Sequence, residues 1–302
     1  MASKNNKEDR IAAVIVTYNP DLARLKKVIG SVLSQVDFVV AVDNGSKNIN
    51  EVKKIVAASG VELIKLGHNF GIAVALNRGI RRALSKSKDL DWILTLDHDT
   101  IVHSRAIATI MSRYRLLSAD TKERIGILAL SHKHHDSDPY TERLAENPKF
   151  LTKIFAQTSG NLIRKSVFKF ASFREDFFID QVDHEFDLQL LKKGLSIIEY
   201  DDALLDHSYG EREKSGTKGI DYYNERRLYY YTRNGTYLTR NYDGFPWSMY
   251  IVGIMTMYSR FLRVNGISGV PRGVSIFFRS FADGLNGKLG ENKRISSMRL
   301  IR

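Results

Sequence analysis

The feature that most constrains the fold is an alternation of β-branched apolar runs with helix-period segments over the first hundred residues. Buried strands are predicted at Ile11–Val16, Phe38–Val42, Val61–Leu66 and Trp92–Leu96. Between them, apolar residues recur every three or four positions, as they do from Leu22 to Leu33, which predicts helices. Strands and helices that alternate with short connections predict an α/β fold with a mainly parallel central sheet flanked by helices.

Polar clusters follow three of these strands, at the points where the apolar runs stop. They are Thr17-Tyr18-Asn19, Asp43-Asn44-Gly45-Ser46 and Asp97-His98-Asp99. The carboxyl ends of parallel strands share one edge of the sheet, and ligands bind at that edge. We therefore expect one polar crevice, suited to a nucleotide.

Asp97 and Asp99 lie two residues apart, directly after the strand at Trp92–Leu96. An unpaired carboxylate is costly to bury, so both should lie at the strand end. Mg²⁺ and Mn²⁺ prefer such oxygen ligands and share them with substrate phosphates. The alternative is an Asp-rich turn without a metal. No glycine-rich dinucleotide or P-loop signature is present, so a cation would have to neutralise a diphosphate.

Composition narrows the class of protein. The chain has 302 residues, 43% hydrophobic and 26% charged, which suits one large domain or one domain with an appendage. There is no cysteine, which excludes disulfides and thiolate sites and is consistent with the cytoplasm. Residues 1–10 are polar and form no signal peptide. The net charge of +12 suits phosphate-bearing substrates or an anionic membrane, and without a DNA- or RNA-binding motif we expect no nucleic acid.

Residues 131–148 form a polar, irregular segment. It contains a group of potential zinc ligands: His132, His134, His135, Asp136 and Asp138. Because they crowd into one loop without a distant partner, we favour a solvated loop over a zinc site.

Five acidic residues lie between Asp176 and Asp187, around a helix predicted to begin near Gln181. Asp183 and Asp187 share a helical face, where like charges repel each other. The cluster is either a solvated acidic helix start or the location of a general base. A further strand, Leu195–Tyr200, precedes His207, which could reach a metal held by the earlier carboxylates.

The C-terminal third is aromatic and basic. Residues 222–237 predict a helix with Arg226, Tyr230 and Arg233 on one face, which either binds phosphate and sugar or packs against the domain. The apolar stretch 247–258 is shorter than a spanning helix. We expect residues 245–281 to form helices that lie on a membrane surface, or that pack on the domain or a partner subunit.

An ordered set of motifs carries a resemblance from about residue 11 to residue 240. The motifs are Val16-Thr17-Tyr18-Asn19-Pro20, Val42-Asp43-Asn44-Gly45-Ser46, Asn69-Phe70-Gly71-Ile72-Ala73 with Asn77, Leu96-Asp97-His98-Asp99-Thr100, Thr158-Ser159-Gly160-Asn161, Ile179-Asp180-Gln181-Val182-Asp183-His184-Glu185, His207-Ser208-Tyr209-Gly210 and Tyr229-Tyr230-Tyr231-Thr232-Arg233-Asn234. With them the chain resembles the inverting GT-A glycosyltransferases of family 2, and among these the bacterial rhamnosyltransferases that use dTDP-L-rhamnose.

The resemblance implies a role for individual residues. The residues that would contact the nucleotide-sugar donor are Thr17, Tyr18, Asn19, Asp43, Asn44, Asn69, Gly71, Asn77, Asp97 and Arg233. Among them, Asp43 would lie near the base or ribose, and Asn69, Gly71 and Asn77 would shape the diphosphate side. Asp97 and Asp99 would hold Mg²⁺ or Mn²⁺ on the donor diphosphate, with His207 completing the shell. Asp183 matches the catalytic base. Family members often have Glu-Asp where this chain has Val182-Asp183, so Glu185 remains the second candidate.

The resemblance also implies an organisation and a function. We expect a polar tail at 1–10, a GT-A domain at 11–240 and a helical C-terminal region at 241–302. The expected activity is transfer of L-rhamnose to a hydroxyl of a polysaccharide or lipid-linked saccharide, for cell-surface glycans. The enzyme would be cytoplasmic and would bind peripherally to the inner face of the membrane through residues 245–281. A homo-oligomer is also expected as an alternative use of this segment. The alternatives are a nucleotidyltransferase and a non-catalytic nucleotide-sugar-binding protein.

Overall fold

A computed structural model describes residues 9–132, 142–207 and 224–296. The strands are β1 (Ile11–Thr17), β2 (Phe38–Asp43), β3 (Glu62–Lys65), β4 (Trp92–Asp97), β5 (Thr100–Val102), β6 (Ile125–Ser131), β7 (Glu142–Arg143), β8 (Phe150–Lys153), β9 (Asn161–Arg164), β10 (Ser196–Ala203) and β11 (Leu205–His207). The helices are α1 (Leu22–Leu33), α2 (Ile49–Ala58), α3 (Ile72–Lys86), α4 (Ala106–Arg115), α5 (Ala119–Arg124), α6 (Val182–Lys192), α7 (Glu225–Asn241), α8 (Trp247–Asn265), α9 (Val270–Leu285) and α10 (Lys293–Ser296).

Nine of the strands form one sheet in the order β3-β2-β1-β4-β9-β6-β10-β8-β7. Parallel pairs join β3 to β2, β2 to β1, β1 to β4 and β6 to β10. Only β9 and β8 run against the prevailing direction within this sheet as described. The predicted mainly parallel sheet flanked by helices is confirmed. The antiparallel insertion of β9 between β4 and β6 was not predicted.

Local sequence explains the first elements. All seven residues of β1 are buried, as expected for an apolar strand covered on both faces. The Asp21 side chain then accepts the backbone N–H of Arg24 at 2.7 Å and caps α1. Leu25, Val28, Ile29 and Val32 form the buried stripe of α1.

The described residues group into two compact units. One contains residues within 1–69, 75–172 and 189–207, and therefore both sheets. The other contains residues within 70–74, 173–188 and 208–302. The predicted C-terminal region 241–302 falls within this second unit, which also includes α7, so its separation at residue 240 stays a prediction.

The core of the second unit is formed by aromatic and aliphatic side chains from α7, α8, α9, α10 and a loop. The buried members are Phe178, Leu228, Tyr229, Tyr230, Met257, Phe261, Ile276 and Ile295. The aromatic face of α7 therefore packs internally. Among the helices that the structure describes, none combines the length and the apolar content of a membrane span.

Several predicted features fall partly outside the described ranges. Residues 133–141, with His134, His135, Asp136 and Asp138, lie outside them, so the zinc alternative is untested. Residues 208–210 and 222–223 also lie outside. Of the irregular segment predicted at 131–148, Glu142–Arg143 instead pairs with β8.

Candidate active site

The register of the sheet brings the three predicted strand ends to one edge. Thr17 at the end of β1 lies beside Asp43 at the end of β2. On the other side of β1, Val16 lies beside Asp97 at the end of β4. The nucleotide-side and metal-side residues predicted from separate motifs are therefore neighbours across β1.

Asp43 organises the loop after β2. Its side chain accepts the hydroxyl of Thr17 at 3.0 Å and the backbone N–H groups of Gly45 and Ser46 at 3.1 and 3.0 Å. Both carboxylate oxygens are thus engaged, and the residue is 1% exposed. The observed role of Asp43 is to shape the loop, and its predicted contact with base or ribose stays a prediction.

The other predicted nucleotide residues line the same loops. Asn19 adopts a left-handed φ of 48°, donates its backbone N–H to the Ser46 hydroxyl at 2.9 Å and accepts the N–H of Lys47 at 2.7 Å. The Asn44 amide donates to the Asn69 side chain at 3.1 Å. Tyr18 is 38% exposed. These bonds join the loops after β1, β2 and β3 into one rim, with an aromatic ring available to a ligand.

Hydroxyl groups hold the backbone of the Asp97-His98-Asp99 turn in place. Ser159 accepts the backbone N–H of Asp97 at 2.9 Å and donates to the hydroxyl of Thr100 at 2.7 Å. Thr95 contributes a second tie, donating its hydroxyl to the carbonyl of Thr158 at 2.5 Å. These bonds hold the backbone and leave Asp97 and Asp99 both partly exposed.

A cation from α1 fixes the other side of this turn. The Arg24 guanidinium donates to the Asp99 carbonyl at 2.9 Å and to the Asp206 carbonyl at 2.7 Å, and pairs with the Asp206 carboxylate at 3.2 Å. The short strand β11 pairs with β5, and this places the backbone of His207 opposite Thr100. The backbones of the three predicted metal ligands therefore lie close together.

The side chains on this turn suit a hard divalent cation. Two partly exposed carboxylates on a fixed turn supply the oxygen ligands that Mg²⁺ and Mn²⁺ share with phosphate. Over the described residues, no group of three or more His, Asp or Glu side chains converges as a complete metal site. Diphosphate oxygens would supply the remaining ligands, as expected for a metal bound together with its substrate.

In the second unit, α6 places its acidic residues in different environments. Asp183 in the first turn is partly exposed, and its Oδ1 accepts the backbone N–H of His184 at 3.0 Å. Glu185 is 2% exposed and accepts the hydroxyl of Tyr242. Val182 and Phe186 are buried. A general base must reach an acceptor hydroxyl, so this arrangement favours Asp183 over Glu185.

The segment before α6 has an unusual backbone. Phe178, Asp180 and Gln181 have φ values of 66°, 64° and 57°, in the left-handed region. Such a conformation costs on the order of 1 kcal/mol or more for each non-glycine residue. Contacts elsewhere in the unit must offset this cost.

The α3 start contacts this segment closely. Gly71 has a φ of 92°, and a Cβ on it would lie 2.5 Å from the carbonyl oxygen of Phe178. The next residue, Ile72, donates its backbone N–H to that carbonyl at 2.9 Å. Gly71 is therefore needed for close approach, and its predicted role on the diphosphate side stays a prediction.

Asp180 is a nearly buried acid in this segment. It pairs with Arg227 at 2.7 Å, and its side chain is 9% exposed. Burial raises the pKa of the Asp180 carboxyl to about 6, with the nearby charge of Asp183 adding to the increase and Arg227 opposing it.

Arg233, predicted to bind the donor, is 1% exposed. Its guanidinium donates to the carbonyls of Phe177 at 3.0 Å and Gly290 at 2.6 Å, and lies over the ring of Tyr230. Donor contact by Arg233 stays a prediction and would require it to exchange one of these bonds. The observed contacts favour the packing interpretation of this helical face.

The chain matches a protein-family model. Residues 12–182, more than half of the chain, match the family model described as Glycosyl transferase family 2. The chain belongs to glycosyl transferase family 2. Membership of this family makes it a glycosyltransferase. The match ends at Val182, one residue before Asp183.

Among curated proteins, the family 2 chain is 30% identical over 242 residues to the dTDP-rhamnosyl transferase RfbF of Shigella flexneri, covering 76% of this chain and 80% of that one. Among solved structures it resembles TarS of S. aureus with a TM-score of 0.53 and 14% identity, covering 95% of this chain and 50% of that one. The chain thus spans half the length of TarS. A structure of TarS 1–349 gives a TM-score of 0.52 and 14% identity, covering 92% of this chain and 82% of that one. This similarity shows the GT-A fold.

Several residues that hold the Asp97-His98-Asp99 turn or the residues around α6 had no role assigned from the motifs. Ser159 and Asn234 stood inside recognised motifs, which was a usable signal. Arg24 and Tyr242 had none, because their partners lie 75 and 57 positions away in the chain. Asn77, predicted to shape the diphosphate side, lies 5% exposed on α3.

Proposed function

We propose that this family 2 enzyme transfers L-rhamnose from dTDP-L-rhamnose to a hydroxyl of a polysaccharide or lipid-linked saccharide in cell-surface glycan synthesis. The observation that carries the donor assignment is the 30% identity to a dTDP-rhamnosyl transferase over 242 residues. The similarity extends over most of both chains.

We propose an inverting mechanism with Asp183 as the base. Its carboxylate takes the proton of the acceptor hydroxyl while that oxygen forms a bond to the anomeric carbon. The bond from that carbon to the nucleoside diphosphate breaks on the opposite face, and the diphosphate leaves with the bonding electrons. The partial exposure of Asp183 and the burial of Glu185 support this assignment.

Asp97 and Asp99, with His207, are proposed to hold Mg²⁺ or Mn²⁺ at the donor diphosphate. A bound divalent cation would stabilise the charge on the departing diphosphate. The chain prepares this position through the hydroxyl of Ser159 and the guanidinium of Arg24, which fix the turn without using its carboxylates.

A donor panel tests the proposal. Nucleoside diphosphate release is measured with dTDP-L-rhamnose, dTDP-glucose, UDP-glucose and GDP-mannose, with and without a saccharide acceptor. We expect the acceptor to stimulate release of dTDP from dTDP-L-rhamnose and not to stimulate release from the other three sugar nucleotides. Preferred turnover of another sugar nucleotide would refute the donor assignment, and release of pyrophosphate would indicate nucleotidyl transfer instead.

Peripheral contact with the inner face of the membrane is proposed for residues 245–281. This segment contains four arginines and no acidic residue. Three of its exposed apolar side chains are Trp247, Met255 and Phe278, at 62%, 66% and 65% exposure. Exposed apolar side chains in a segment with a net positive charge suit an anionic lipid surface.

Vesicle co-sedimentation tests this contact. We expect binding to vesicles with phosphatidylglycerol that is weakened by high salt and by Phe278→Asp. Leu116→Asp is the matched control, since Leu116 is 74% exposed in the other unit. Equal recovery in the supernatant with and without vesicles would refute membrane contact, and a concentration-dependent mass would then indicate a homo-oligomer.

A further inference from the structure

The left-handed segment before α6 accepts several hydrogen bonds from Asn234, beside the bond from the Arg233 guanidinium to the carbonyl of Phe177. Asn234 on α7 is fully buried. Its side-chain amide nitrogen lies 3.1, 2.9 and 2.8 Å from the carbonyl oxygens of Phe177, Ile179 and Asp180. One amide group thus contacts three carbonyls across four consecutive residues.

The orientation of this amide is determined by its partners. The Asn234 side-chain oxygen accepts the Nε–H of Arg233 at 2.9 Å. A flipped amide would place that oxygen against three carbonyl oxygens and a nitrogen donor against a guanidinium, which are both repulsive. Asn234 therefore donates to the carbonyls of Ile179 and Asp180, and it adds a bond to the Phe177 carbonyl, which also accepts from Ile179 and Arg233.

These carbonyls belong to the residues that lead directly into the base-bearing helix. Asp183 follows Asp180 by three positions, and the first turn of α6 closes when Glu185 donates its N–H to the carbonyl of Gln181 at 3.1 Å. Gln181 in turn donates to the carbonyl of Tyr231 on α7 at 3.2 Å. A change in the backbone at 177–180 would therefore be transmitted to the first turn of α6.

We propose that Asn234 is a positioning residue for Asp183: it holds the strained segment so that the first turn of α6 presents the Asp183 carboxylate to the acceptor hydroxyl. This proposal rests on the proposed function, in which Asp183 is the base. Small displacements of a reacting group cost large factors in rate, roughly 10²-fold for about 1 Å.

A double-mutant cycle tests the proposal with the full chain. Asn234→Ala is made in the wild type and in Asp183→Asn, and kcat, acceptor KM and donor affinity are measured. We expect kcat to fall roughly 10- to 100-fold in the wild-type background. In Asp183→Asn, where no base remains to be positioned, the same change should alter kcat by less than about 2-fold. Donor affinity should stay near wild type.

Thr236→Val is the matched control for lost stability. Thr236 is 3% exposed on the same helix, and its hydroxyl bonds to the carbonyl of Thr232 and to Tyr250, both at 2.7 Å. Neither partner belongs to the segment before α6. We expect this variant to lose stability while keeping kcat. Amide exchange of residues 182–188 should speed up in Asn234→Ala and not in Thr236→Val.

Several results would overturn the proposal. Unchanged kcat in Asn234→Ala, or the same loss of kcat in both backgrounds, would show that Asn234 does not act through Asp183. Normal turnover in Asp183→Asn alone would instead refute the proposed base, and that result is read separately. If Asn234→Ala does not fold, Asn234→Ser, which keeps one hydroxyl donor, replaces it in the same cycle.

Discussion

Substitution of the two acidic candidates on α6 separates catalysis from stability. In Asp183→Asn the amide oxygen can still accept the N–H of His184, and the side chain is partly exposed. We therefore expect the free energy of unfolding to stay within about 0.5 kcal/mol of wild type, as for surface substitutions. Turnover should fall by roughly 10²-fold or more, because an amide cannot take the acceptor proton.

Glu185→Gln should show the opposite pattern. The buried Glu185 carboxylate accepts the hydroxyl of Tyr242, and burial together with this bond raises the pKa of the Tyr242 phenol. Replacing the charged acceptor by a neutral amide reduces the strength of the hydrogen bond by about 1 kcal/mol. For a chain of this size that corresponds to a Tm lower by about 2 °C. Turnover should remain within about 3-fold of wild type, because Asp183 is the proposed base and Glu185 is buried against Tyr242.

The assay measures nucleoside diphosphate release at saturating donor and acceptor, with thermal unfolding and donor affinity recorded on the same preparations. Near-normal turnover in Asp183→Asn would remove Asp183 from the mechanism. Collapse of turnover in Glu185→Gln alone would move the role of base to that residue.

Three further predictions concern the metal, a close approach and pH. Asp97→Asn or Asp99→Asn should abolish the divalent dependence of donor binding with Tm unchanged, and equal donor affinity with and without EDTA in wild type would contradict a metal site. Gly71→Ala should destabilise the protein by at least about 1 kcal/mol more than Gly67→Ala in urea unfolding, because both have positive φ but only the former meets the carbonyl of Phe178; equal losses would show that the contact relaxes. The pKa of Asp180 is raised to about 6 in the folded state, so the folded state binds the proton more tightly than the unfolded state. Wild-type stability should therefore fall relative to Asp180→Asn as pH rises from about 4 to about 6. Urea midpoints of the two proteins that stay parallel over that range would contradict the raised pKa.

Much of the nucleotide-side architecture was predictable from local pattern. The β-branched runs around Ile11–Val16 and Trp92–Leu96 correspond to strands β1 and β4, and the apolar spacing after Asp21 corresponds to α1. Because a parallel sheet aligns the carboxyl ends of its strands, the clusters at Asp43 and Asp97 could be expected on either side of β1. The family followed from the order of these motifs, and the match over residues 12–182 confirms it.

The environment of each acid was not predictable in the same way. Asp183 and Glu185 are two positions apart and chemically alike, yet one is partly exposed and the other accepts a bond from Tyr242. Likewise, no local pattern predicted that the Arg233 guanidinium donates to the carbonyls of Phe177 and Gly290. Burial of this kind depends on partners that are distant along the chain.

Local sequence patterns were enough to predict the first strands and helices, the polar residues that follow the strands and the family, because these properties arise from periodicity and motifs within a few residues. Tertiary structure alone decided the insertion of β9 between β4 and β6, the contact of Arg24 with Asp99, and the left-handed segment that Asn234 holds. Each of these joins residues more than 30 positions apart in the chain, so no pattern within a few neighbouring residues specifies it.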